Sequence, residues 1–155
     1  MQPRIDVTKY VGSGAGRAML ALSRETEKLL DRRLFYLVEI RASQLNGCAY
    51  CIDMHTKDAR HAGETEQRIY ALSAWRETPF FTDRERAALE WTESVTLLGE
   101  THVPDEVYER VAEHFDEPEL VALTFAVVVI NAWNRLAVSF RAPVGAYQPS
   151  QATTA

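Results

Sequence analysis

The stretch DEPELVALTFAVVVINAWNRLAVSF, from Asp116 to Phe140, decides the fold. Its centre, Val127 to Ile130, is a β-branched run that suits a buried strand by propensity alone. Its beginning argues otherwise. Asp116-Glu117-Pro118-Glu119 is a helix start, with an acidic cap, an early proline and a glutamate three residues on. Pro143 supplies the stop. No alternating apolar pattern elsewhere offers a partner strand, and a lone strand leaves its backbone unsatisfied. The stretch reads as one helix, and the chain as all-α.

Working outward, apolar residues recur at steps of three and four. Met19, Leu22, Thr26, Leu29 and Leu30 mark a helix over 16–30. Asp31 caps a second one, with Leu34, Leu37, Val38, Arg41, Ala42 and Leu45 along one side and Asn46-Gly47 as its end. A third runs from about Cys48 to Arg60 and stops at Gly63. Ile69, Leu72 and Trp75 indicate a short fourth. Thr82-Asp83-Arg84-Glu85 has the form of a capping box and opens a fifth, closed by Gly99. Pro104-Asp105 opens a sixth, through Val107, Val111 and Phe115. The expectation is a single-domain bundle of six to seven helices over 1–143, with a polar, fraying tail over 144–155.

Composition sets the class. The chain has 155 residues, 46% of them hydrophobic and 25% charged. A chain of this size typically buries about 68–70% of its unfolded surface, enough for one core without staples. Seventeen basic against twenty-two acidic residues give a net charge of −5. With no cluster of Lys or Arg, nucleic acid and anionic membranes are excluded as partners. The apolar run Leu120–Ile130 falls short of the ~20 residues of a bilayer span, so it is expected to be buried in protein. The amino terminus MQPRIDVTKY has no apolar segment of a secretory signal. A reducing cytoplasm is therefore the expected compartment, where a structural disulfide does not persist.

The only two cysteines need another explanation. In Gly47-Cys48-Ala49-Tyr50-Cys51-Ile52-Asp53-Met54-His55 they stand three apart, with a histidine four further on. At about 100° per residue, the three side chains fall within about 60° of one helical face. The cysteine Cα atoms are then roughly 5 Å apart, within disulfide range. Cys48 falls in the first helical turn, where free N–H groups favour negative charge and a thiolate forms near neutral pH. His55 is placed to take a proton from Cys51. Three alternatives compete. The cysteines can be small buried hydrophobes. With His61 and His55 they can suggest zinc, although His61 points about 120° away on a continuous helix. A histidine can also be a satisfied core residue, a description that fits His102 and His114 better than His55. Trp75, Trp91 and Trp133 sit at apolar helical positions and are expected in the core or a subunit contact. Asp58 can orient His55 or simply face solvent.

Ser43-Gln44-Leu45-Asn46-Gly47-Cys48-Ala49-Tyr50-Cys51, followed by Met54-His55-Thr56, resembles the core of alkylhydroperoxidase D-like proteins of the carboxymuconolactone decarboxylase superfamily. Trp75-Arg76-Glu77-Thr78, Glu85-Arg86-Ala87-Ala88-Leu89, Val95-Thr96 and Asn131-Ala132-Trp133-Asn134-Arg135 are similar to it in the same order. The resemblance implies an all-helical fold, a homo-oligomer such as a trimer or hexamer, and a thiol-dependent peroxidase. Cys51 then matches the cysteine that meets the hydroperoxide, Cys48 the resolving partner, and His55 the histidine of the proton relay. An external dithiol restores the pair, and no cofactor or metal is implied. The family's relay glutamate falls at Tyr36 here. Glu39, about 60° round the helix and roughly 4.5 Å further along, can reach the same histidine. The alternative is a solvated Glu39 with Tyr36 in the core. Two rival functions stand beside the peroxidase: a decarboxylase of the carboxymuconolactone type, for which paired cysteines have no evident use, and a non-enzymatic redox-responsive or metal-binding module.

Overall fold

The computed structural model describes residues 2–149 as nine α-helices and one 3-10 turn, with no strand among the described residues. Seven helices correspond to the expected ones: α2 (Gly14–Glu27), α3 (Arg32–Leu45), α4 (Ala49–His61), α5 (Glu66–Ala71), α6 (Asp83–Thr96), α8 (Asp105–Ala112) and α9 (Glu117–Phe140). Two single turns are additional, α1 (Thr8–Val11) and α7 (Leu98–Thr101). The expected fourth helix is broken. After α5 the chain tightens into the 3-10 turn Leu72–Glu77, kinked at Ala74 (φ −120°, ψ 32°).

The β-branched run of α9 is helical because packing outweighs propensity. A valine or isoleucine costs a helix at most about 0.7 kcal/mol relative to alanine. Burying its side chain returns about 1.5–3 kcal/mol, and Val127, Val129 and Ile130 are all buried. The cap is complete: Asp116 Oδ1 accepts the Glu119 N–H at 2.9 Å, and Glu119 Oε2 accepts the Asp116 N–H at 3.1 Å. By length and composition α9 can cross a bilayer, a property missed by ending the apolar run at Asn131. Its inner face is nevertheless core, packed on α3, α6 and α8.

At the centre stands α3, against α4, α6 and α9. Every residue from Leu34 to Ile40 is buried. Two expectations fail along the outer helices. Leu22 on α2 and Leu29 beyond its end are exposed, because α2 packs mainly on α9 and the single turn α1, which do not cover them. Nor does Gly99 close α6, which ends at Thr96. There the Thr101 hydroxyl donates to the Ser94 carbonyl at 2.7 Å, and the chain turns through left-handed His102 and Val103 (φ 51° and 49°). His102 is accordingly exposed and His114 half-buried, so neither is the core histidine expected of them. The C-terminal segment is held as far as it is described. Lys57 Nζ donates to the Tyr147 carbonyl at 3.0 Å, and the Tyr147 hydroxyl to Asp58 at 2.7 Å. Of the expected frayed tail, residues 150–155 lie outside the described ones.

Candidate active site

Gly47, in the left-handed region at φ 64°, reverses the chain between α3 and α4. Only glycine adopts this turn without strain. Cys48 follows as the N-cap of α4 rather than its first turn, and its sulfur accepts the Cys51 backbone N–H at 3.3 Å. Its own N–H donates to the Ser43 carbonyl at 2.9 Å. Both cysteines are free thiols, 1% and 2% exposed.

His55 is the buried histidine. Its Nδ1 lies 2.9 Å from Glu39 Oε2, off the line of a regular hydrogen bond, so the carboxylate acts chiefly through its charge. Burial works against a charged imidazole, but Glu39 outweighs it and raises His55 above its ordinary value. Tyr36 is buried, and its hydroxyl accepts from Arg32 Nε at 3.2 Å rather than bonding His55. Asp58 is turned to Tyr147. His61 is exposed and far from the sulfurs' side of α4. Among the described residues no three His, Cys, Asp or Glu side chains are placed to hold a metal.

The two thiols divide their acidity. Cys48 is lowered to about 7, first by its hydrogen bond with the Cys51 thiol and, against burial, by the Cys51 N–H, His55 and Asn134. Cys51 is pushed up by its bond to Cys48, by burial and by the Cys48 charge. Two such groups titrate as a pair, and Cys48 is the readier of the two to ionise.

Access divides them the other way. A cavity of about 360 Å³ is lined by Cys51, His55 and Glu39, but not by Cys48. Leu20 and Ser23 of α2, Met54 of α4, and Trp133 and Leu136 of α9 form its walls, and residues 5–8 roof it. The roof is tied down by Arg4, whose N–H donates to the Phe140 carbonyl at 2.9 Å. Close packing beneath it depends on Gly16, where a Cβ would meet the Tyr10 and Val11 carbonyls. The lining is mostly apolar, with no Lys or Arg, and its acids are Glu39 and Asp6. Trp133 walls this cavity, its Nε1 donating to Ser23 Oγ at 2.8 Å, whereas Trp75 and Trp91 are core. Its role was hidden because helical spacing shows that Trp133 faces inward, not that a void lies there. A larger open groove of about 750 Å³ runs past Ile52, Thr56 and Arg60 on an adjacent face of α4, and none of Cys48, Cys51 or His55 lines it.

The profile of the Carboxymuconolactone decarboxylase family matches residues 14–94. The chain is 48% identical over 140 residues to the protein YdfG of Bacillus subtilis, across 90% of this chain and 95% of that one. Its backbone superposes with a TM-score of 0.89 on the crystal structure of an Agrobacterium tumefaciens protein of unknown function, named as a putative antioxidant defence protein AhpD. That match is 41% identical and spans 94% of this chain and 100% of the other. A peroxidase-related protein of Ralstonia eutropha with an alkylhydroperoxidase AhpD core superposes with a TM-score of 0.76 over 93% of this chain and 77% of that one. At 18% identity the likeness is one of fold.

Proposed function

We propose, from the premise that this chain belongs to the carboxymuconolactone decarboxylase family and has the alkylhydroperoxidase D-like fold, that it is a thiol-dependent peroxidase. The observation that carries the reading is the division of labour between the sulfurs. Cys51 opens on an apolar cavity beside a carboxylate-backed histidine, and an acidic Cys48 waits behind it. The neutral form of His55 takes the Cys51 proton, and the Cys51 sulfur attacks the terminal oxygen of the hydroperoxide. The O–O bond breaks, and His55 returns the proton to the departing alkoxide, leaving an alcohol and a sulfenic acid on Cys51. Cys48, already a thiolate, then attacks that sulfur. The sulfenic hydroxyl leaves as water, taking from solvent the proton that Cys48 gave up on ionising, and a Cys48–Cys51 disulfide forms. An external dithiol reduces it by attack on the accessible Cys51 sulfur. Cys48 leaves readily because a low-pKa thiol is the better leaving group. Recycling of this kind suits the reducing cytoplasm.

The lining favours an uncharged organic hydroperoxide. It also argues against the decarboxylase reading, whose substrate is by name a carboxylate: no Lys or Arg lines the cavity, and His55 is already paired with Glu39. Stopped-flow measurement of thiol loss should therefore rank an alkyl hydroperoxide above a generic disulfide. A disulfide reacting faster than every peroxide would reassign the protein as a disulfide reductase.

We also propose a homo-oligomer, a trimer or hexamer. Val121, Phe125 and Val128 form an exposed stripe along α9, each 46–50% accessible. An uninterrupted apolar helical face of this kind marks a contact surface. Sedimentation at micromolar concentration should show a species several times the 17.5 kDa chain. A lone 17.5 kDa boundary would refute it.

A further inference from the structure

Behind the two sulfurs, away from the cavity, lies a set of amides, two buried and one half-buried, that the proposed reaction does not use. Asn131 and Asn134 stand on α9, and Asn46 at the end of α3. Their orientations follow one from another. Asn131 Nδ2 donates to the Val127 carbonyl at 2.9 Å and to Thr96 Oγ1 at 3.0 Å. A carbonyl only accepts, so this end must be the NH2 group and Asn131 Oδ1 must face Asn46. Asn46 Nδ2 is fixed in the same way by the Ala42 carbonyl at 3.0 Å, and it reaches Asn131 Oδ1 at 3.0 Å and Asn134 Oδ1 at 2.8 Å. Asn134, 1% exposed, is thus held with its oxygen toward Asn46 and its NH2 toward the α3–α4 turn. There Nδ2 donates to Ser43 Oγ at 3.1 Å. The carbonyl of the same Ser43 takes the Cys48 N–H. The second Asn134 proton is left for the cysteine end of α4.

We propose that Asn134 is a further functional residue of the site, its oriented amide N–H donating to the thiolate of the Cys48–Cys51 pair and keeping one sulfur ionised near neutral pH. Burial alone pushes a thiol up, so a thiolate here depends on donors. The Cys51 N–H and the neighbouring thiol belong to α4 itself, whereas Asn134 comes from α9. Asn134, set at the α3–α4 turn by its tie to Ser43, acts on both thiols in the same direction and lowers them. When the disulfide forms, the sulfur loses its charge and Asn134 loses its strong acceptor. The amide therefore favours the reduced pair.

This inference rests on the pair being the redox centre of the proposed peroxidase, but its test contains no peroxide, so the two can fail separately. Ultraviolet thiolate absorbance of the reduced protein is followed against pH for Asn134→Ala and for Asn131→Ala. The second removes a similar buried tie between α9 and α3 while Asn46 stays locked by Ala42. His55, Tyr50 and Glu39, the other ionisable groups around the sulfurs, are unchanged in both. Asn134→Ala should move the first midpoint up by about one pH unit, a tenfold smaller thiolate fraction below the midpoint. Asn131→Ala should leave it in place. No movement in Asn134→Ala, or equal movement in both, would overturn the proposal. Should Asn134→Ala not fold, the assigned side-chain amide resonances of Asn134 in nitrogen-labelled wild-type protein decide. They should titrate with the thiol pair and shift again on oxidation, and resonances that do neither would refute the assignment.

Discussion

Replacing Cys51 by serine is expected to reduce peroxide consumption to the uncatalysed rate, whereas replacing Cys48 by serine should leave one round of oxidation that stops at a sulfenic acid. The two variants separate the opposed signals at the site. Acidity points to Cys48, lowered to about 7. Access points to Cys51, the sulfur that lines the cavity with His55 and Glu39. Access decides, because a nucleophile must touch the peroxide, while the protonation of Cys51 is reversible through an imidazole one turn away. Nor is the lower pKa an advantage in attack, since nucleophilicity falls with it. It is an advantage in resolution, where Cys48 must already be ionised, and in leaving when the disulfide is reduced. Mass spectrometry after peroxide treatment should show an intramolecular Cys48–Cys51 bridge in the wild type, with helical content kept, and a trapped sulfenic acid in Cys48→Ser. Were the two phenotypes exchanged, the roles of the cysteines would be reversed.

How much of this site can be read from the sequence depends on how far each contact reaches along the chain. Cys48, Cys51 and His55 share a face through helical periodicity alone, a local property. The contact of Glu39 with His55 needs α3 and α4 to fold back on each other at Gly47, and the Asn46-Gly47 pair signals that turn. Choosing Glu39 over Tyr36 needs the rotation of α3 in the core, which is set by Leu37, Val38 and Ile40 packing against helices far along the chain. The cavity is less legible still. Its roof is residues 5–8, and its walls include Trp133 and Leu136, more than a hundred residues away. A void is a property of what fails to meet, and no periodicity records it. The amide cluster had a signal that could have been used. Asn131 and Asn134 interrupt the most apolar helix of the chain on its inner face, and a buried amide requires partners.

Exchanging Glu39 for glutamine should slow the reaction of Cys51 with peroxide at pH 7 by about 10- to 100-fold, the low end of general-base effects. The substitution nearly conserves shape and removes the charge 2.9 Å from His55 Nδ1. That charge turns Nδ1 into the protonated nitrogen and frees the other for Cys51. It also balances the imidazolium formed when the thiol gives up its proton. Tyr36→Phe should have a smaller effect, because the Tyr36 hydroxyl is hydrogen-bonded to Arg32 rather than to the histidine. Stability should carry a matching pH signature. Glu39 raises the folded pKa of His55, so the stabilisation from the charged pair is full below the ordinary histidine value of about 6.5 and is lost as pH rises through the raised folded value. Denaturant midpoints of wild type and Glu39→Gln should therefore differ most near pH 6 and converge at alkaline pH. A purely structural Glu39 would predict a constant difference and an unchanged rate. If both were observed, the relay would have to be completed by a group other than Glu39, and the ionisation of Cys51 would rest on His55 without its carboxylate.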